Sequence, residues 1–247
     1  MAARKKQRVV VCGAGFAGIN VAKALESKCD VTLVAPTDRF VYLPLIHEVL
    51  SENVTPRTVT KGLDKILPKT TLVHGRAAKV EGKDLELASG DRLPFDTLVV
   101  AVGAESNDFG VPGVAENTLS FYSVGDALQA NAMIKVAATQ VQDRPLRVVV
   151  VGASFTGVEV AGEAAELLHK LDVPHNVLLL DAAPKVFPHQ SAEFHQGIEK
   201  GLERLSLEMR LNQKIVEVRK NMVVVAGTDR PSEIPADVIF WCTGAKP

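Results

Sequence analysis

Residues 147–168, RVVVVGASFTGVEVAGEAAELL, decide the fold. The run Val148–Val151 reads as a strand buried on both faces, and Gly152-Ala-Ser154-Phe-Thr-Gly157 as a tight loop. The small and apolar residues that follow recur at helical spacing. A strand that passes through a glycine loop into a helix opens a βαβ unit, whose strands are parallel and whose crossover is right-handed. One position departs from the GxGxxG pattern: Ser154 stands where its second glycine belongs.

Working outward, RVVVCGAGFAGINVAKAL from Arg8 matches RVVVVGASFTGVEVAGEA from Arg147, 139 residues later. DTLVVAVGAES from Asp96 matches DVIFWCTGAKP from Asp237, 141 residues later. Two landmarks that keep one spacing mark a duplicated unit. Each half has a first strand (Val9–Cys12, Val148–Val151), a glycine loop, a helix and a second strand (Val31–Val34, Val177–Leu180). Later alternating stretches, TLVHGRAAKV, KDLELA and MVVVAG, predict a small antiparallel meander in each half. The expected fold is α/β, with two Rossmann-like βαβ dinucleotide-binding domains over residues 1–112 and 147–247. Residues 113–146 form a linker with a helix over Asp126–Val141, capped by Asp126.

The loops carry the chemistry. In Gly13-Ala-Gly15-Phe-Ala-Gly18 the first glycine permits the turn, the second lets backbone approach a pyrophosphate, and the third lets the helix pack on the strand. The phosphate charge then meets N–H groups at the helix N-terminus. In the second loop Gly152 and Gly157 are kept, while the Ser154 Cβ narrows the approach and its hydroxyl can donate to a phosphate oxygen. Asp181 ends NVLLLD, where a carboxylate accepts both ribose hydroxyls and repels a 2′-phosphate, favouring NADH over NADPH. Lys185 weakens that preference slightly. The matching position of the first half is Ala35, so Thr37 or Asp38, just beyond it, is left to serve a ribose.

Composition excludes several classes. The 247 residues are 47% hydrophobic and 23% charged with a net charge of −1, which leaves no electrostatic footprint for nucleic acid. No apolar run reaches bilayer length and no signal peptide is evident, so a soluble cytoplasmic protein is expected. The basic start MAARKKQR reads as a solvated tail. Cys12, Cys29 and Cys242 form no CxxC pair and read as reduced core thiols, with no metal site implied.

With these motifs in place the chain resembles the flavoprotein reductases that carry two dinucleotide-binding domains, and among them the type II NADH dehydrogenases. The likeness rests on VVVCGAGFAG, VYLPLIHEVLS, LPFDTLVVAVGAESNDFGVPGV, VVVVGASFTGVEVAGE and IPADVIFWCTGAKP. It implies FAD in the first half, held at Gly13, Gly15, Phe16, Ala17 and Gly18, with Ala78 meeting the adenine through its backbone. Ala101, Gly103 and Ala104 close that domain. It implies NADH in the second half, held at Gly152, Ser154, Thr156, Gly157 and Asp181, with Thr243, Gly244 and Ala245 closing the domain. Glu159 matches the family glutamate near nicotinamide and flavin, assigned to positioning or proton relay.

The implied activity is hydride transfer from NADH to flavin, then two electrons to a quinone. Alternatives are an NAD(P)H-dependent reductase of a ferredoxin-like protein, or a truncated nucleotide-binding module without turnover. In this family the chain returns to the flavin domain after the NADH domain, so a chain that stops at Pro247 is expected to be a fragment or truncated relative. Peripheral membrane contact through a segment beyond it, and a homodimer, are further implications. FYSVGDA, residues 121–127, imitates a flavin motif but precedes the second domain, and is read as the linker helix start. Glu159 is placed in the first helical turn, where the macrodipole favours a carboxylate. Glu163 and Glu166 read as a solvated stripe, His47 and Glu48 as a surface polar pair, and His189 and His195 as surface residues.

Overall fold

In a computed structural model that describes residues 6–187, 190–227 and 230–246, the strand Arg8–Cys12 pairs in parallel with Asp30–Ala35 and with Thr97–Val100. Thr71–His74 completes a four-stranded sheet beside Asp30–Ala35. Because strand side chains alternate between faces, one valine run serves two cores. Val9 and Val11 pack with Val31, Leu33, Ala22, Leu63 and Leu67 on the helical side. Val10 and Cys12 pack with Leu85, Leu87 and Phe95 on the other, where the antiparallel strands Ala77–Glu81, Asp84–Leu87 and Arg92–Pro94 lie. The expected meander is therefore present, but its first stretch is divided. Thr71–His74 joins the parallel sheet, and Gly75, whose N–H donates to Ala35 O, separates it from the meander.

The same plan recurs later in the chain. Leu207–Arg210, His175–Leu180, Leu146–Val151 and Val238–Trp241 form a parallel sheet in that order. Val149, Val151, Ile239 and Trp241 share a core with Ile215, Val218, Val223 and Val225 of a second meander, Ile215–Arg219, Met222–Val225 and Ser232–Pro235. On the alternate face the Phe155–Lys170 helix covers the sheet with Val160, Ala161, Ala164, Leu167 and Leu168 fully buried.

Residues 6–42 and 57–104 make one compact unit, and residues 43–56 and 105–246 the other. The division differs from the linear one in two ways. Residues 43–56, between the second and third parallel strands of the first unit in chain order, group with the second unit. Residues 113–146 are built into that unit too: Val114 enters its meander core, Leu119 bridges Phe240, and the helix Val124–Gln140 buries Ala127, Ala130, Asn131 and Ile134. That helix starts two residues earlier than Asp126. Ser123 is the N-cap, and Asp126 is the third helical residue, reaching back to the Ser123 N–H in a capping box.

The start of each repeat unit has a physical reason as well. Arg8 and Asp96 clasp side by side below the first sheet, and Arg147 and Asp237 do so below the second. No helix among the described residues is long and apolar enough to cross a membrane.

Candidate functional site

Every candidate residue of the first unit follows a strand at the carboxyl edge of its sheet, or lies in the adjoining meander. Gly13 sits at φ +105°, a region L side chains rarely adopt, and a Cβ there would lie 2.1 Å from Ala101 O. Gly18 is equally forced, since its Cβ would lie 1.9 Å from Gly13 O. Gly15 is different: its φ is −78°, and nothing lies within 4 Å of its would-be Cβ. The protein itself makes no demand for glycine there, and the space beside it is open. The helix that begins at Phe16 has no side-chain cap, and its first N–H groups have no intrahelical partner. Gly15, Phe16 and Ala17 are exposed.

Around this loop lie Val100 and Val102, about two-thirds exposed, then Gly103 and Ala104. Ala78 is the extra residue of a β-bulge between Ala77 and Lys79, which takes its backbone groups out of the ladder. That is the arrangement a backbone reading of adenine needs. Asp38 is exposed at the end of the second strand, while the Thr37 hydroxyl donates to Arg39 O.

The second unit repeats the loop with a different chemistry. Gly152 sits at φ +101° with Cys242 O 2.7 Å from its would-be Cβ, and Gly157 meets Gly152 O at 1.7 Å. The Ser154 hydroxyl donates to Cys242 O at 3.2 Å and accepts from the Gly157 N–H at 3.4 Å. Its one proton is thus committed, contrary to the expected donation to phosphate, and Ser154 presents backbone instead. Asp181 accepts from the Ala153 N–H at 2.6 Å and the Ala183 N–H at 2.7 Å. One carboxylate therefore ties the loop to the end of the second strand, and each oxygen retains a lone pair for a hydroxyl.

Gly152, Ser154 and Asp181 line a cavity of about 480 Å³ together with Phe109, Ile215, Trp241 and Gly244, a size suited to a small-molecule ligand. Thr243 donates its hydroxyl to Asn107 O, Gly244 O accepts from Tyr122 OH and Ala245 pairs with Ser106. These closing residues are held as structure, with Gly244 packed against the Phe109 ring.

Glu159 and its neighbours depart most from expectation. The helix starts at Phe155, so Glu159 is its fifth residue, beyond the first turn. Burial pushes its carboxyl above the usual range, the nearby Glu163 adds to this, and His47 pulls the other way. His47 is no surface residue: its side chain is 15% exposed and Nδ1 lies 3.4 Å from Glu159 Oε2. Glu163 is not solvated either. It accepts from the Ser51 hydroxyl and from Asn53, and burial raises its carboxyl. Glu166 pairs with Lys170 at 3.0 Å. His47, Tyr122, Thr156 and Glu159 line a cavity of about 140 Å³. His195 is half-buried against Val186 O and Phe187 O, and His189 lies outside the described residues.

Three further residues escaped the sequence reading. Phe109 lies inside the quoted stretch LPFDTLVVAVGAESNDFGVPGV but was given no role there. Tyr122 belongs to the stretch read only as a helix start. Val216 occupies the bulge of the second meander, 138 residues after Ala78, and the repeat spacing could have found it. Among the described residues no cluster of His, Cys, Asp and Glu suits a metal ion.

Comparison with known proteins agrees with this geometry. A protein family described as pyridine nucleotide-disulphide oxidoreductase matches residues 5–247. The chain is 31% identical to the type II NADH:quinone oxidoreductase Ndh of Mycobacterium tuberculosis, over 91% of its own length and 54% of that protein. It is 28% identical to the alternative NAD(P)H-ubiquinone oxidoreductase C1 of Arabidopsis thaliana, over 98% of its length and 54% of that protein. It thus spans about half the length of these relatives. The fold superposes on NDH2 from Plasmodium falciparum in complex with NADH with a TM-score of 0.90 at 19% identity, covering 98% of this chain and 56% of that one. Two parallel sheets with the same strand order, each headed by a glycine loop and backed by a meander, are what that match describes in residues. The chain belongs to the pyridine nucleotide-disulphide oxidoreductase family.

Proposed function

We propose that this chain supplies the coenzyme-binding units of an FAD-dependent NADH:quinone oxidoreductase, with FAD held by the first unit and NADH by the second. The observation that carries the assignment is the asymmetry of two otherwise equal loops. The first is open at Gly15 and uncapped, with exposed apolar side chains and a bulge at Ala78 beside it. The second carries Asp181, a ribose acceptor of the kind that selects a nicotinamide dinucleotide without a 2′-phosphate. When bound, FAD and NADH would supply the hydride and electron-transfer chemistry that quinone reduction needs. The chain's own tasks are to place phosphates on backbone N–H groups, orient the ribose at Asp181 and hold Glu159 near the 140 Å³ cavity. The relatives named as quinone oxidoreductases in Mycobacterium and Arabidopsis support the acceptor. Peripheral membrane contact and a homodimer belong to the same proposal.

Purified protein tests this directly. Flavin absorbance after refolding with FAD, saturable NADH uptake by calorimetry and NADH oxidation dependent on a soluble quinone are the expected results. A colourless protein that binds neither coenzyme refutes the assignment, and turnover only with a ferredoxin replaces the quinone.

Asp181→Ala removes the ribose acceptor and both loop ties, and is expected to weaken NADH binding roughly tenfold, the value of about one charge-assisted hydrogen bond. NADPH affinity should fall less, so the NADH preference narrows. Equal losses for both coenzymes would show that Asp181 only braces the loop.

A further inference from the structure

Residues 43–56 bring the short helix His47–Leu50 into the second unit, where it packs on the helices Phe155–Lys170 and Val124–Gln140. It is tied down at several points. The buried Asn131 Nδ2 donates to Leu50 O at 2.9 Å, Lys170 Nζ donates to Ser51 O at 3.1 Å, and the fully buried Ser51 donates to Glu163. A helix fixed in this way fixes its first residue. His47 thereby stands beside Glu159 at ion-pair distance, both of them on the wall of the cavity lined by Thr156 and Tyr122.

We propose that His47 is the positioning residue for Glu159: its Nδ1 and the Glu159 carboxyl hold one proton between them, which sets the charge that this carboxyl presents to a coenzyme in the second unit. The inference rests on the NADH assignment for what the carboxyl faces, though not for the pairing itself. The other charged groups around the pair are accounted for. The Phe155–Lys170 helix brings Glu163, Glu166 and Lys170, the last two paired with each other. The segment that carries His47 brings Glu48 and also Glu52, which is paired at 2.6 Å with Lys135 of the Val124–Gln140 helix. Asp126 of that helix is engaged by the backbone of Tyr122 and Ser123. Among these described groups, His47 is the base set against Glu159, with Nδ1 3.4 Å from Oε2. Burial and Glu163 favour the protonated carboxyl, and His47 favours the ionised one.

The test is the titration of the Glu159 carboxyl, followed by infrared or carbon-13 spectroscopy on the whole protein and identified as the signal that Glu159→Gln removes. His47→Gln is expected to move its midpoint to higher pH by about one unit, the usual influence of a neighbouring charge. His47→Lys, which keeps a fixed positive charge, is expected to hold the midpoint at or below the wild-type value. A merely structural role for His47 would move both variants the same way, and that result, or an unmoved midpoint in His47→Gln, overturns the proposal. NADH calorimetry on the same samples separates the two claims. Opposed shifts without NADH uptake refute the coenzyme assignment and leave the pair, whereas NADH uptake without opposed shifts refutes the pair alone.

Discussion

Gly15→Val is expected to yield a folded protein that no longer keeps FAD, with affinity lowered by at least about a hundredfold, or roughly 3 kcal/mol. The reasoning separates two kinds of glycine in one loop. At Gly15 the backbone is extended at φ −78°, and an added Cβ meets nothing within 4 Å. The chain itself loses only helix-cap preference, about 1 kcal/mol or less. The branched side chain fills the space that a pyrophosphate must enter to reach the first N–H groups of the Phe16–Leu25 helix. Gly13→Val is the contrasting control. Its φ of +105° and the Ala101 oxygen 2.1 Å from the would-be Cβ make strain unavoidable, so thermal stability should fall together with flavin content. The measurements are flavin-to-protein absorbance ratio and thermal unfolding without added coenzyme. A Gly15→Val protein that keeps flavin at the wild-type ratio would place the FAD site elsewhere.

The same contrast explains what the sequence reveals and what it hides. Strands such as Val148–Val151 are legible because burial on both faces leaves an unbroken apolar run, and a turn at positive φ leaves a glycine. Repeat spacing then supplies the second unit. The cap was misplaced at Asp126 although serine followed three residues later by an acid is a capping-box signature, and Ser123 holds the cap. The role of the Ser154 hydroxyl was not legible. It depends on the carbonyl of Cys242, 88 residues away in sequence, and no local pattern encodes a carbonyl's position. His47 and Glu163 failed for the same reason. LPLIHEVL is too short a run to show which unit it joins, and Glu163 looks solvated by helical spacing alone until Ser51 and Asn53 are seen to cover it. Tertiary packing decides the environment of a charged group, so the glycine loops were readable while the acid–imidazole pair was not.

Asp237→Asn should strongly destabilise the second unit, although the residue lies outside its glycine loop and its apolar core. Asp237 has an 8% exposed side chain and accepts both guanidinium nitrogens of Arg144 at 2.7 Å. It also accepts the Arg147 N–H at 2.9 Å and Arg147 Nη2 at 3.2 Å. Burial alone would raise its carboxyl, but the hydrogen bonds from Arg144 and Arg147 outweigh burial and hold it well below the ordinary range. Removing one partner of a mostly buried pair costs about 3 kcal/mol or more. The low end applies because the two arginines are each about one-third exposed, and the matching fall in Tm is roughly 8 °C. Trp241 is the chain's single tryptophan and lies in the meander core of this unit, so its fluorescence reports the transition of that unit.

The pH dependence follows from the direction of the shift. A carboxyl whose folded pKa lies below its unfolded value, about 4, contributes stability that is fully present above that value. The contribution is lost as pH falls through the window toward the folded pKa. The stability gap between wild type and Asp237→Asn should therefore stay constant from neutral pH down to about 5 and narrow below about 4. Asp96, the counterpart in the first unit, is exposed and held at about 2 chiefly by its hydrogen bonds from Arg8, so Asp96→Asn should cost much less at neutral pH. A gap for Asp237→Asn that persists undiminished at the lowest pH where the protein stays folded would mean that shape, and not charge, is what the two arginines recognise.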